Sequence, residues 1–547
     1  MVVKVASNSL KGHSSSQLRL ALLSLATTGV FLGQSPQSHS AGLSLVDFNS
    51  VSAFGSAGAG RGVNTDASVM STNPAGMAFL GRQQLVAGGM GILAGGDVRG
   101  TYNTMVLDDP RGRTYHPDTD IQYYQTFGST QNYKDCTGFD GDPSTCYEVN
   151  GKADDFLLPE FVPSLYYAQP VTDQLWVGVG VYASFGGETK YKIESPFRYQ
   201  ALNSQTRVVN IQPTVSWKFD DTLAVGAGLM ISAGQLEMGR MLNPWAGAVT
   251  DASAMIDGEG VGVGMNLGVI WKPLPPLSLG LAYRSPVKIK FEGDLRAAGI
   301  PGLGVVMGRY AESTYDPNDP TTYPEPILDA QASAQWIIAN RPGTMKEDAR
   351  TTITFPEAVD LSLSYELDTH WTLLANATWT RWSRMERFKI TASGSPAGQR
   401  ASDIVSVSNG EPGSNVVAWV PQDWSDVWSM ALGGQYRYND KLLLRGGYAL
   451  DKSPTSDATR TARIPDNDRQ WLTVGAAYQF NRRYSLDVAY GYMWMKPFTV
   501  HDANHKVDGG RQGTNPATAS FEDPGAVTAK YRNMHAHTLA AQLTVKF

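Results

Sequence analysis

From about residue 80 onward, apolar and polar positions alternate along the chain. In "QLWVGVGVYASF" the odd positions Leu175, Val177, Val179, Val181, Ala183 and Phe185 are apolar, and the even ones are small, polar or aromatic. That period of two is the pattern of a strand with one face against something oily. It returns in Val261, Val263, Met265, Leu267, Val269 and Trp271, in Leu277, Leu279, Leu281 and Tyr283, and in Tyr484, Leu486, Val488, Tyr490, Tyr492 and Trp494. The last stretch, Leu539, Ala541, Leu543, Val545 and terminal Phe547, has it too. Fourteen such segments begin near residues 83, 162, 174, 207, 222, 258, 276, 351, 370, 426, 440, 470, 482 and 535.

The connections come in two lengths. "VTD", "DD", "KPLPP", "DT", "ND" and "NRR" are tight turns, whereas 93–160, 293–350, 391–424 and 496–530 are long and polar. An even strand count with short turns at one rim and long loops at the other is the layout of an outer-membrane barrel. The expectation is an all-β fold, a 14-stranded antiparallel transmembrane β-barrel over residues 82–547, with both termini at the periplasmic rim. A soluble sandwich or propeller would share the alternation. It would not explain the two loop lengths, an export leader and a terminal phenylalanine together.

The leader is read in residues 1–40: Lys4, Lys11 and Arg19 without an acid, an apolar core from Leu20 to Leu32, then "QSPQSHS". This is the layout of a secretory signal peptide, with cleavage expected after Ser40. Its loss would take the formal charge from −6 to −9, which disfavours nucleic acid as a partner. Cys136 and Cys146, in a turn-rich stretch of an exported chain, are expected to form a disulfide.

A lysine or arginine facing lipid at the bilayer midplane costs about 2–4 kcal/mol. Lys218, Arg284, Glu366, Arg445 and Asp487 are therefore expected to point into the bore. Gly258, Gly260, Gly262 and Gly264 fall on the face opposite Val261 and Val263, and would leave room there. Residues 41–81 are the expected filling. They do not alternate, they are rich in glycine and alanine, and "STNPAGMAF" turns at Asn73-Pro74 as no strand would tolerate. Entering from the periplasmic rim, they would fold into the lumen as an N-terminal hatch, with Phe54, Gly55, Asn73, Pro74 and Ala75 among its residues.

"AGLSLVDFNSVSAFGSAGAGRG" followed by "STNPAGMAFL" resembles the hatch of the FadL-type long-chain fatty-acid transporter family of Gram-negative outer membranes (OMPP1/FadL/TodX-like). "WVGVGVYASFGG", "AYRSPVKIKFEG", "FPEAVDLSLSYEL", "TRWSRMERF", "LLRGGYALDKSPT" and "RIPDNDRQWLTVGAAYQF" resemble its later strands in the same order. Residues 93–160 match nothing characteristic. The resemblance implies passive uptake of hydrophobic molecules and sideways exit at a kinked third strand. Here that strand is the 174–187 segment, and Phe185, Gly186 and Gly187 are the candidates for its kink. The family's basic headgroup residues cannot be matched position by position, and Lys389 and Arg445 are candidates from geometry alone.

Two outer loops are unexpectedly apolar, and exposed patches of this kind mark binding surfaces. Trp245, Met255, Ile256, Leu303, Val305, Val306, Met307, Trp336, Ile337 and Ile338 are expected to form a capture groove. No Gly-x-Ser-x-Gly elbow or His-Glu-x-x-His helix is present, so an enzyme is not expected. "DPNDP" and "PDNDR" lack the spaced calcium pattern, and neither cofactor nor metal is expected. The reading is a monomeric outer-membrane channel whose partners are hydrophobic small molecules and the surrounding lipid and lipopolysaccharide. Fatty acids are the first substrate class and apolar hydrocarbons the second; a barrel lipase or protease, or a surface adhesin, is the alternative of another class.

Overall fold

In the computed structural model, residues 44–45, 49–105, 108–109, 113–114, 131–137, 143–153, 156–157, 159–192, 195, 197–198, 200–242, 252–298, 345–385, 387–393, 416–502 and 527–547 are described. The wall is one closed sheet of fourteen antiparallel strands. They are β1 Gln84–Met105, β2 Glu160–Pro170, β3 Leu175–Lys190, β4 Asn203–Lys218, β5 Leu223–Leu242 and β6 Ala252–Leu274. Four of the next strands are broken in two: β7 Leu277–Arg284 with Val287–Ala298, β8 Met345–Phe355 with Ala358–Glu366, β9 Trp371–Thr380 with Arg387–Ser393, and β10 Val416–Pro421 with Val427–Arg437. The circuit ends with β11 Leu442–Asp451, β12 Arg469–Gln479, β13 Tyr484–Met495 with Phe498–Asp502, and β14 Val527–Lys546. The ladder from Gln84↔Lys546 to Tyr102↔Val527 joins β14 to β1 and leaves no edge.

The outward face explains why a water-soluble reading fails. Val263, Leu432, Leu539 and Val474 are each more than half exposed, and only lipid makes such a face favourable. Rings gather at the short-turn rim, where Trp217, Phe219, Trp271, Trp371, Tyr478, Phe480 and Phe547 are exposed, as an interfacial girdle requires. No described helix is long and apolar enough to span a bilayer; the crossing is made by strands.

Several strands project beyond the expected loop boundaries. β1 continues to Met105, and its upper half pairs with an extra strand Pro143–Ala153, which forms a hairpin with Gln131–Thr137. Cys136 lies opposite Ser144 and Cys146 opposite Lys134 in that hairpin; their side chains, and hence the expected disulfide, lie outside the described residues. The leader, residues 1–40, lies outside them as well.

Residues 49–81 fill the bore. Val51–Phe54 form a short helix (α1), followed by 3-10 turns at Arg61–Val63, Ala67–Ser71 and Pro74–Phe79. Three of the four starts are capped by a side chain: Ser50, Asp66 and Asn73 accept from the Ala53, Ser68 and Ala75 backbone N–H groups, and only Gly60, before Arg61–Val63, makes no such bond. Asn73-Pro74 is therefore a helix start, with proline in the first turn where its missing N–H costs nothing.

Candidate functional site

The hatch is held by hydrogen bonds spread over much of the wall. Arg61 Nε and Nη2 reach Asp360 on β8 at 2.8 Å, and Nη2 also donates to Thr378 on β9. Gly62 N donates to Ser362 Oγ at 2.9 Å, Gln212 Nε2 to Met70 O at 2.8 Å, and Asn73 Nδ2 to Val269 O at 3.0 Å. Tyr166 OH donates to Asn49 O at 2.8 Å. Phe54, Asn73, Pro74 and Ala75 are buried, and Gly55 lies against Gly475 and the Arg445 side chain.

Close approach requires bare wall positions, and the glycines that supply them differ from those expected. A Cβ at Gly226 would lie 2.4 Å from Ala75 N, and one at Gly268 would lie 1.9 Å from Asn73 Oδ1. The room at Gly258, Gly260, Gly262 and Gly264 is filled from β7 instead, by Phe291, Ile289 and Val287. Alternation identified the bare face, but clearance is set by the neighbouring strand's register, which alternation does not report.

Above the hatch the bore is crossed by rings. Phe185 of β3 stacks on Phe355 of β8 at 4.7 Å between centroids and meets Trp382 edge-on at 6.1 Å; Trp382 meets Trp424 at 5.1 Å. Over this partition lies a cavity with about 520 Å³ of empty space, part of it open to solvent. Leu236, Met238, Ile353, Phe355, Met385 and Ile464 give it an apolar lining. Glu188, Gln205, Gln422 and Arg463 are its polar edge, with Gln205 Nε2 donating to Glu188 Oε2 at 2.7 Å.

Arg463 comes from the connection between β11 and β12, which folds inward over the lumen. Thr189 Oγ1 donates to Arg463 O at 2.7 Å and Tyr191 OH to Ala462 O at 2.8 Å, tying that connection to the upper end of β3. The Arg463 guanidinium donates to Gln200 O, Asn203 O and Ser204 Oγ at 2.7, 3.2 and 2.7 Å. Those bonds use three of its five N–H groups. Desolvation, and secondarily the charge of Arg240, pull its pKa down to about 10. It is cationic at neutral pH. In the same connection Asp466 accepts from Arg469 and Ser453, and Asp468 pairs with Lys452, so ion pairs occupy the carboxylates of "PDNDR".

The irregularity of β3 sits one residue before the stretch singled out from sequence. Ala183 pairs with Val209 and Phe185 with Val208, leaving Ser184 as an extra, bulged residue. The segment just before the hatch closes on this point: Ser44 bridges Phe185, Leu45 N donates to Ser184 O at 3.0 Å, and Leu45 is 1% exposed. A Cβ at Gly186 would stand 2.6 Å from Leu45 Cδ1. Gly187 lines the cavity.

The two headgroup candidates occupy different surroundings. The Arg445 side chain is 8% exposed, is paired with Asp487 at 2.5 Å and lies against Gly55 of the hatch. Lys389 is exposed while its neighbour Ile390 is buried, so it lies on the outer face, away from the cavity, as Trp371 and Leu373 do at the odd positions before the break in β9. Of the other inward charges, Arg284 faces the hatch below the partition, with Nε and Nη1 lacking a hydrogen-bond partner among the described residues. Lys218 pairs with Asp221, and Glu366 is exposed at its strand end. Met255 and Ile256 belong to β6, not to a loop. Met255 is exposed and Ile256 packs inward, so they do not share one groove. The other eight capture-groove residues lie outside the described residues.

A closed, lipid-facing barrel with a lumenal plug, a bulged wall strand and an apolar cavity defines an outer-membrane transport channel. The chain belongs to the family described as outer membrane protein transport proteins (OMPP1/FadL/TodX), whose model matches residues 32–547. A long-chain fatty acid transport protein of Escherichia coli O6:H1 is 24% identical over 514 residues, 90% of this chain and 93% of that protein. Among solved structures, a Pseudomonas aeruginosa FadL homologue superposes with a TM-score of 0.63 at 19% identity, covering 93% of this chain and 100% of that one. The Pseudomonas putida toluene transporter TodX gives 0.53 at 14%, covering 93% and 98%. These two likenesses show the fold. A family of transport proteins leaves the barrel-enzyme alternative without support.

Proposed function

We propose that the protein carries long-chain fatty acids across the outer membrane by passive diffusion, binding them in the cavity above Phe185 and releasing them sideways at the β3 bulge. The observation that carries this reading is Arg463, the one cation among the described residues that line the cavity, set beside its apolar side chains. Its remaining N–H groups suit a carboxylate, and Leu236, Met238, Ile353 and Phe355 suit an alkyl chain, each buried methylene contributing about 0.8 kcal/mol. A neutral aromatic hydrocarbon would find no use for the arginine. The name of the Escherichia coli relative, a long-chain fatty acid transport protein, agrees.

Release would require Leu45 to leave its place against Gly186, so that the bulge opens onto lipid. Lateral escape keeps the chain out of periplasmic water. Capture by the outer loops, including Trp245, Leu303, Val305, Val306, Met307, Trp336, Ile337 and Ile338, remains part of the proposal, as do the signal peptide at 1–40 and a monomeric state. Uptake of a labelled long-chain fatty acid by a strain lacking its own transporter tests the reading. Expression should restore uptake, and Arg463→Met should reduce it tenfold while sparing a neutral hydrocarbon of similar size. Restored hydrocarbon uptake without fatty-acid uptake would overturn it.

A further inference from the structure

On the outside of the barrel, near its upper rim, a bulge in β14 reverses which residues face out. Gly95 of β1 pairs with His535, and the next pair is Asp97 with Arg532, so β14 carries one residue more than β1 in that interval. Asn533 takes up the excess at φ 52°, in the left-handed region. A one-residue excess exchanges the two faces of a strand. Below the bulge His537 and Leu539 are outward; above it Tyr531, Ala529 and Val527 turn inward and are buried, and Arg532 and Lys530 are exposed.

β1 keeps its parity through this interval, so Leu93, Asp97 and Arg99 are all exposed. Arg532 thus stands across from Asp97, and Lys530 across from Arg99. Exposed Lys496, at the break in β13, lies beside the bulge. Among the described side chains four cations share the patch with one acid, and that acid, Asp97, accepts a hydrogen bond from Asn533 at 2.8 Å. Among the described residues none of the four is in an ion pair. The outer faces of β6–β8 differ: there Lys290 pairs with Glu292, Arg296 with Asp257 and Asp294, and Lys346 with Asp294.

The height of the patch indicates its ligand. Tyr490, Tyr492, Trp494, His535 and His537 form a ring cluster just below it, with Tyr490 OH and His537 Nδ1 at 2.8 Å and Tyr492 and Trp494 stacked at 5.8 Å. Aromatic groups of this kind mark the membrane–water interface. Arg99 lies six residues above Leu93, the uppermost exposed large apolar residue among the described side chains of β1, or about 15 Å higher on a tilted strand.

We propose that Arg99, Lys496, Lys530 and Arg532 form a binding site for the phosphate groups of lipid A in the outer leaflet. Guanidinium groups pair with phosphate through two parallel N–H bonds, and clustered exposed cations at a headgroup surface are the means by which proteins hold anionic lipid. The site is independent of the transported substrate, since it lies on the opposite side of the wall from the cavity.

Purified full-length protein, stripped of bound lipid in detergent, is offered lipid A with both phosphates or the same lipid dephosphorylated, and retained lipid is measured by native mass spectrometry. The native chain should retain the phosphorylated form at least tenfold better. Arg99→Glu/Lys530→Glu/Arg532→Glu should abolish that preference, and Lys290→Glu/Lys346→Glu on β7 and β8 should keep it. If the triple variant does not fold, as judged by heat-dependent gel mobility, the milder Lys530→Gln/Arg532→Gln serves, with a loss of threefold or more expected. Equal retention of both lipids by the native chain, or an undiminished preference in the folded variants, overturns the proposal.

Discussion

Phe185 on β3 and Phe355 on β8 stack 4.7 Å apart although their strands are not neighbours in the sheet. A contact between opposite walls divides the bore into a cavity above and a hatch chamber below. Phe185→Ala removes the ring that also meets Trp382. Its cost should be about 3–5 kcal/mol, as for other buried phenylalanines, read as a lower unfolding temperature. Passage of a small apolar dye through reconstituted protein should rise several-fold.

Arg61 and Asp360 form the buried ion pair that ties the hatch to the wall. Asp360→Ala strands a buried guanidinium and should destabilise the seated hatch by about 3–5 kcal/mol. Protease cleavage within residues 49–81 is the readout. Arg61→Met/Asp360→Leu should recover much of the loss, because it leaves no unpaired charge.

Gly226 and Gly434 make a matched pair for testing the seat. A Cβ at Gly226 would meet Ala75 N at 2.4 Å, whereas at Gly434 the nearest atom is Thr372 O at 3.7 Å. Gly226→Ala should therefore expose the hatch to protease, and Gly434→Ala should leave it protected.

Arg463 sets a pH window for binding. A fatty-acid carboxylate ionises above about pH 4–5, and Arg463 loses its proton as pH rises through about 10, so affinity should hold between these limits and fall at both. For stability the sign is opposite at the alkaline end. The unfolded chain holds this proton more tightly than the folded one, so the arginine's own contribution to stability rises as pH climbs above about 10 toward the guanidinium's ordinary, higher value. Titration of binding in native and Arg463→Met protein checks the first statement.

The wall was legible because lipid on one side and a polar bore on the other impose a strict alternation, seen in Val261 to Trp271 and Tyr484 to Trp494. The hatch was legible through its failure to alternate and through Asn73-Pro74. What alternation could not reach is where strands break or loops fold back. Met255 and Ile256 belong to a strand longer than its pattern suggested, whereas Lys389 faces outward like the odd positions Trp371 and Leu373 of the same strand, which alternation does report. Arg463 sits in a connection whose inward fold depends on distant partners such as Thr189 and Tyr191. The Ser184 bulge left only the neighbouring glycines as a signal.

The central claim is that the cavity edged by Arg463 holds an acyl chain with an acidic end. Mass spectrometry of ligands carried through mild purification tests it most directly. Long-chain fatty acids should accompany the native protein and be depleted at least tenfold from Arg463→Met. Native protein that carries none, and binds neutral aromatics tightly instead, would contradict the account.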